Sequence, residues 1–392
     1  MYNNKYNLIL KKVSFLGILL TITLFSCGRD PNNPNNSKNS ISLSFNNDYK
    51  GLVTDNEIIA KNDPENPDKK FINLLRSAKQ TVDGAFYDIQ DPDITKVFVE
   101  MKKKGVKIRL VTDTDNLTVG KKGALRDSIK SLEDAGIEIK DDKRNGLMHN
   151  KFMIVDSNYV WTGSTNLTTN SLYDHNNNSL MIESKQLSAN YQAEFNRFFE
   201  NGLFGVNAHE IPYPNIITTE KDSIQTFFSP GGGTTAAIIK ELNDAKKSIK
   251  FMAFSFTNKE MADIMLIKNK QKIACEGIFD SCEISKYSTY SLLNKNKIPV
   301  YKDGNQALMH EKIMIIDDET VITGSFNFSN NAEHNNNENT LIIKSTNIAS
   351  QFNKEYERLK FAAINNKDLP SYNHPACRGS STDPKGNNEA GE

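Results

Sequence analysis

The sequence is short of the patterns that mark a metal centre, a membrane span or a polyanion-gathering field. It holds four cysteines and six histidines in 392 residues, with no C-x-x-C and no H-x-x-x-H. The common zinc spacings are therefore missing, and no metal or other cofactor is implied. Basic and acidic residues balance at 48 each, so no net charge draws in nucleic acid, although a local basic groove is compatible with that balance. The apolar run over 13–25 is too short to cross a bilayer comfortably. Gly231-Gly232-Gly233 opens a helix but lacks the Gly-Lys-Ser/Thr of a phosphate loop, so it reads as a tight turn. Asparagine is abundant throughout and reads as a compositional habit.

The chain begins with a segment that is not part of the fold. Lys5, Lys11 and Lys12 precede the apolar run and no acid lies among residues 1–26, which is the pattern of an export signal. Without it, 45 basic residues face 48 acidic ones. Leu24-Phe25-Ser26-Cys27 is similar to a bacterial lipoprotein processing box. That likeness implies cleavage before Cys27, acylation of its thiol, and anchoring to the cell envelope, at the cell membrane or the outer membrane. An ordinary signal peptide and an uncleaved anchor are the alternatives, and all three export the chain. Residues 27–40, rich in Asn, Pro and Ser, read as a tether. If Cys27 is lipidated, Cys275, Cys282 and Cys377 remain, and a bridge between Cys275 and Cys282 stays open.

One stretch occurs twice. The first copy runs from Leu147 to Asp156 and on to Thr162-Gly163-Ser164-Thr165-Asn166. The second runs from Leu308 to Asp317 and on to Thr323-Gly324-Ser325-Phe326-Asn327. Both read H-x-K-x4-D-x6-G-S-x-N. His310 − His149, Lys312 − Lys151 and Asn327 − Asn166 all give an offset of 161, which holds as far as Leu180 and Leu341. Chance does not supply six fixed positions twice. The apolar runs after each Lys read as buried strands. Side chains two apart share a strand face, so His149 pairs with Lys151 and His310 with Lys312. Ser164 with Asn166, and Ser325 with Asn327, add hydroxyls and carboxamides. Such a set suits a phosphate, with Lys as point charge, Ser and Asn as donors, and His as nucleophile or acid. Asp156 and Asp317 sit an odd number of residues from their His and face away from it.

Both copies resemble the HKD motif of the phospholipase D superfamily, and the likeness covers most of the chain beyond the signal. It implies an α/β fold of two tandem phospholipase D-like domains, each a mixed sheet flanked by helices. A pseudo-two-fold axis then brings His149, Lys151, His310 and Lys312 into one active site on a monomer. It further implies that one His attacks phosphorus while the other protonates the leaving oxygen, with a structural role for Asp156 and Asp317. Glu338 stands where the family often holds a carboxylate that orients an imidazole; the other reading is a solvent-facing Glu in a polar loop. The first half has Asn177 at the equivalent place. The resemblance implies His149 as the nucleophile and His310 as the acid, because two-motif members of the family commonly attack with the first-half His; Glu338 adds to this if it contacts His310 within its own half, where it favours the protonated ring.

The rest of the chain fits a duplication of whole domains. Val111-Thr112-Asp113 matches Ile278-Phe279-Asp280, and helices over 188–199 and 348–361 close the two halves. The expected boundaries are 41–205 for the first domain, 206–218 for a linker, 219–365 for the second domain and 366–392 for a disordered tail. His175, His209, His334 and His374 lie in polar loops or the tail and receive no role. The reading is a phospholipase D-type phosphodiesterase acting on a phospholipid head group. A nuclease of the same superfamily is the alternative, and a non-catalytic adhesin fits less well because both His-Lys pairs are intact.

Overall fold

The computed structural model describes residues 40–46, 53–120, 123–206, 210–218, 222–305 and 307–365. The signal segment, Cys27, the tether up to residue 39 and the tail from 366 lie outside them. In the first half, seven strands form one sheet: β1 (Ser40–Phe45), β2 (Thr81–Phe86), β3 (Lys107–Thr112), β4 (Glu138–Asp141), β5 (Lys151–Val155), β6 (Tyr159–Gly163) and β7 (Asn178–Glu183). Their order is β1-β7-β6-β5-β2-β3-β4. β2, β3 and β4 are parallel to one another, whereas β5, β6, β7 and β1 run antiparallel to their neighbours. The second half has β8 (Asn215–Ile217), β9 (Ser223–Ser229), β10 (Ser248–Ala253), β11 (Ala274–Phe279), β12 (Val300–Lys302), β13 (Lys312–Ile316), β14 (Thr320–Gly324) and β15 (Glu338–Lys344). It repeats the pattern as β12-β11-β10-β13-β14-β15-β9-β8. These are the two mixed, helix-flanked sheets expected.

The motif strands show why the halves stay together. Phe152 and Ile154 of β5 enter a central core, while Met153 and Val155 enter the outer core of the first half. Ile313 and Ile315 of β13 enter the same central core, and Met314 and Ile316 the outer core of the second half. Burial on both faces is what an unbroken apolar run predicts, and each such side chain contributes roughly 1.5–3 kcal/mol. The outer faces are covered by α2 (Pro67–Ser77) and α3 (Pro92–Lys103) in one half and by α7 (Thr234–Asp244) and α8 (Lys259–Lys270) in the other. The central core is filled from both halves by α6 (Lys185–Phe199) and α11 (Thr346–Asn365). Phe45 of β1 packs edge-on against Phe352 of α11, 5.2 Å between ring centres.

Several elements differ from the sequence reading. α2 starts at Pro67, a favoured first helical residue, and not at Phe71. β8 lies inside the stretch expected as a linker and pairs with β9. β7 and β15 open with Asn178-Ser179 and Glu338-Asn339, polar residues that hide a strand from an apolar-alternation test. Three short or exposed helices, α1 (Val53–Asn62), α5 (Thr169–Tyr173) and α10 (Asn330–His334), also differ from that reading; α9 (Tyr290–Lys295) starts three residues after the expected Tyr287 and ends one after Asn294, and α4 (Asp127–Asp134) starts two residues after the expected Leu125.

Candidate active site

Each motif begins where a strand begins. Lys151 is the first residue of β5 and Lys312 the first of β13. Lys151 Nζ donates to the carbonyl of His149 at 2.9 Å, and Lys312 Nζ to that of His310 at 3.0 Å. Lys151 and His149 flank the Tyr87 ring, at 5.0 and 5.1 Å from its centre. Lys312 and His310 flank Phe254, both at 4.7 Å. All four motif side chains are buried, so each ammonium and imidazole acts outside bulk water, where charge interactions are strong.

The strands end at the motif aspartates. Asp156 and Asp317 adopt positive φ, 50° and 56°, and turn their carboxylates away from the histidines. Asp156 accepts from the amides of Lys79, Gln80 and Thr81 at 2.8, 2.8 and 2.9 Å. Asp317 accepts from those of Lys246, Lys247 and Ser248 at 2.7, 2.6 and 2.9 Å. Burial pulls each carboxyl up, but three amide bonds together outweigh it and hold both below the ordinary Asp value. These residues clamp the loop before β2 or β10 to the end of the motif strand.

The histidines are held from the opposite half. His149 N donates to Asn337 O at 2.9 Å and Asn337 N to Leu147 O at 2.8 Å. His310 N donates to Asn176 O at 2.9 Å and Asn176 N to Leu308 O at 2.8 Å. Each His segment therefore runs beside the chain that leads into β15 or β7 of the other half. The next residue on that chain meets the imidazole. Glu338 Oε1 and Oε2 lie 2.9 and 2.8 Å from His149 Nδ1. Asn177 Oδ1 lies 2.9 Å from His310 Nδ1. The expectation that Glu338 contacts His310 within its own half is thus overturned, and with it the pKa argument for His310 as the acid. Glu338 is also fully buried at the start of β15, not solvent-facing.

The serines serve these partners. Ser164 Oγ donates to Asn177 Oδ1 at 2.8 Å, and Ser325 Oγ to Glu338 Oε2 at 2.5 Å. Their placing needs the preceding glycines. Gly163 and Gly324 both have φ of 148°, and a Cβ at either would stand 2.2 Å from the carbonyl oxygen of Asn178 or Asn339. Asn166 and Asn327, two residues after the serines, are buried beside the same turns.

Sequence reasoning missed the asparagines. Asn178 Nδ2 donates to Glu311, and Asn339 Nδ2 to Asn150 Oδ1 at 3.0 Å. Thr162 donates to Asn339 Oδ1 at 2.7 Å and Thr323 to Asn178 Oδ1 at 3.0 Å. Asparagine is here the fabric of the interface and not a habit of composition. The signal was present: 150 and 311, 177 and 338, and 178 and 339 all keep the offset of 161. His175, assigned nothing, has its ring 6.2 Å from that of His310.

Other candidates fall away from the site. Cys275 is a buried free thiol that burial pushes up to about 12, and Cys282 is disulfide-bonded, so these two do not bridge one another. A cavity of about 880 Å³ in the first half is lined by residues such as Asp88, Lys96, Arg126 and Asn170, and by none of the motif residues. Among the described residues, no three His, Cys, Asp or Glu side chains converge as a metal site.

Comparison with known proteins supplies the family. The family described as "Cardiolipin synthase, PLD-like domain" matches residues 71–199 and 238–360. A mitochondrial cardiolipin hydrolase of Chlamydomonas reinhardtii is 31% identical over 132 residues, 33% of this chain and 56% of that protein. A phospholipase D of Rickettsia prowazekii is 26% identical over 159 residues, 40% of this chain and 78% of that protein. This chain thus spans only a little over half the length of the cardiolipin hydrolase it matches. The phosphatidylserine synthase of Haemophilus influenzae shares the fold at a TM-score of 0.59 and 11% identity, over 85% of this chain and 89% of that one. With one family matched twice across more than half of its length, and the matched segments built as two reciprocal sheets, the chain belongs to the phospholipase D-like family.

Proposed function

We propose that the protein is a phosphodiesterase of the phospholipase D type that cleaves the head-group phosphodiester of a phospholipid. The observation that carries this is the reciprocal pairing of two His-Lys sets, each imidazole held at Nδ1 by a residue of the other half. With Nδ1 held in this way, Nε2 is the nitrogen that each ring would turn to a substrate. One Nε2 attacks phosphorus; a P–N bond forms as the P–O bond to the head-group alcohol breaks, and the second imidazolium gives that oxygen its proton. The second imidazole then takes a proton from water, whose oxygen attacks phosphorus and breaks the P–N bond. Two in-line displacements retain configuration at phosphorus. Lys151 and Lys312 offset charge on the phosphoryl oxygens, with Asn166 and Asn327 as added donors. Both halves lie on one chain, so a monomer suffices.

The lipid substrate is favoured by the relatives, a cardiolipin hydrolase and a phospholipase D by name. We also propose export and a lipid anchor at Cys27, which would hold the enzyme beside such a substrate. The test is to incubate the mature protein in chelator with labelled phosphatidylcholine and cardiolipin vesicles and, separately, with single-stranded and plasmid DNA. The expected result is release of the head group, lost in His149→Ala and in His310→Ala alike because the pair acts as a unit. Cleavage of DNA with lipid untouched makes it a nuclease. Near-wild-type turnover by either single variant sinks the shared site.

A further inference from the structure

We propose that Asn177 is a positioning residue that gives the two histidines unlike roles, so that His310 attacks phosphorus and His149 protonates the leaving oxygen. This rests on the phosphodiesterase reading above and reverses the order expected from the sequence.

The amide of Asn177 is oriented by its neighbours. Nδ2 donates to Ser171 O and to Ser171 Oγ, both at 3.0 Å. Oδ1 accepts from Ser164 Oγ at 2.8 Å and stands 2.9 Å from His310 Nδ1. A flipped amide would set its oxygen against the Ser171 carbonyl and its NH2 against the ring, losing a bond on one side. The ring thus meets an acceptor, and only a proton on Nδ1 satisfies it. A neutral imidazole with its proton on Nδ1 carries its lone pair on Nε2, which is the form that attacks.

Glu338 offers His149 a different partner. Its carboxylate takes Ser325 Oγ at 2.5 Å and Asn336 Nδ2 at 3.2 Å as well as the imidazole. Ser325 Oγ and Asn336 Nδ2 face it as donors, and the imidazole Nδ1 is its third polar neighbour. An anion beside a ring in a buried site favours the imidazolium, and a neutral amide oxygen does so far less. The ring that must hold a proton before the first bond breaks is best placed on Glu338. The ring that must hold a lone pair is best placed on Asn177.

Other titratable groups are spoken for. Near His310, Lys312 donates to its carbonyl, Glu311 takes Asn178, Asp280 takes the Met309 amide, and His175 stands 6.2 Å away. Near His149, Lys151 donates to its carbonyl, Asp113 takes the Met148 amide, and Arg144 takes Asn337 Oδ1. One effect opposes the assignment: a carboxylate would also stabilise a phosphohistidine cation. That effect acts after the P–N bond forms. Its lack at His310 leaves the intermediate less stabilised and quicker to hydrolyse.

Two measurements test the proposal. The first is 15N NMR of histidine-labelled mature protein at neutral pH, with His149→Ala and His310→Ala used to assign signals. A neutral Nδ1–H ring at His310 beside an imidazolium at His149 is expected, and the reverse pattern overturns the assignment whether or not a substrate is turned over. The second is the pH profile of kcat/KM on a chromogenic phosphodiester, or on whichever substrate the wild type cleaves. Asn177→Asp gives His310 an anion of equal size and should move the acid limb up by about one unit. Glu338→Gln should move the alkaline limb down by a similar amount. Uniform loss of rate with both limbs fixed would mean a merely structural role, and opposite-limb movement would reverse the two histidines. If Asn177→Asp fails to fold, Glu338→Gln and the NMR pattern decide. A wild type inert on lipid, DNA and the chromogenic diester defeats the activity reading, while the NMR pattern still judges the roles.

Discussion

Glu311 provides the sharpest test of the interface. It is the residue between His310 and Lys312, so strand alternation turns it away from them and into the contact between halves, where Asn178 donates to it. It is fully buried. Burial first, and then the charge of Glu355, push its carboxyl from 4.5 up to about 8; the Asn178 bond, Lys312 and Arg358 pull it only partly back. A folded value above the unfolded one means that the group's contribution is full below about pH 4.5 and is lost as pH rises through about 8. At ~1.4 kcal/mol per unit, that interval caps the loss at ~5 kcal/mol, and relaxation around the ionised carboxylate brings it to about 2–4 kcal/mol. Glu311→Gln copies the neutral form and keeps an oxygen for Asn178. Urea unfolding of the two proteins from pH 5 to pH 9 should therefore diverge. The variant should gain on the wild type by about 1 kcal/mol per unit through the middle of that range and hold its lead above it. Parallel stability curves would show that Glu311 does not titrate there, and the account of the interface as a buried, amide-lined seam would fall.

Asp156→Asn and Asp317→Asn should each cost about 1–2 kcal/mol at neutral pH in guanidinium unfolding, since one carboxylate serves three amides. Both carboxyls are held low, so their contribution is present above the ordinary Asp value and fades as pH falls; variant and wild type should converge in acid. Gly163→Ala forces a Cβ onto the Asn178 carbonyl at φ of 148° and should cost about 2–4 kcal/mol, with turnover falling as Ser164 leaves Asn177. Cys27→Ser should release processed protein from membranes or stall the precursor; unchanged mass and partition would exclude the lipid anchor.

What the sequence showed and what it hid follow from different physics. Phe152 to Val155 and Ile313 to Ile316 were legible as strands because both of their faces are buried, which leaves an apolar run with no alternative reading. The pairing of each His with its Lys was legible because period two is fixed by the backbone. The partners of His149 and His310 were not, because they arrive across an interface from positions 189 and 133 residues away. No local pattern encodes a contact of that span. β7 and β15 were hidden by the same residues that matter most, since Asn178, Glu338 and Asn339 break the apolar alternation in order to hydrogen-bond across the seam.

A duplicated site is read best where its copies differ. Among the side chains that hydrogen-bond across the seam, the second half offers the carboxylates Glu311 and Glu338 where the first has Asn150 and Asn177. The halves exchange these side chains, so each difference lands in the partner's territory. Glu338 acts on His149, Asn177 on His310, Glu311 on Asn178, and Asn150 on Asn339. A two-fold site with identical partners would have to choose a nucleophile and an acid from two equal rings, and a proton on either would serve equally. Placing the anion on one ring and the amide on the other removes that degeneracy before substrate arrives. The identities between the copies place the chemistry at the seam, and the two substitutions in register with the offset give it a direction.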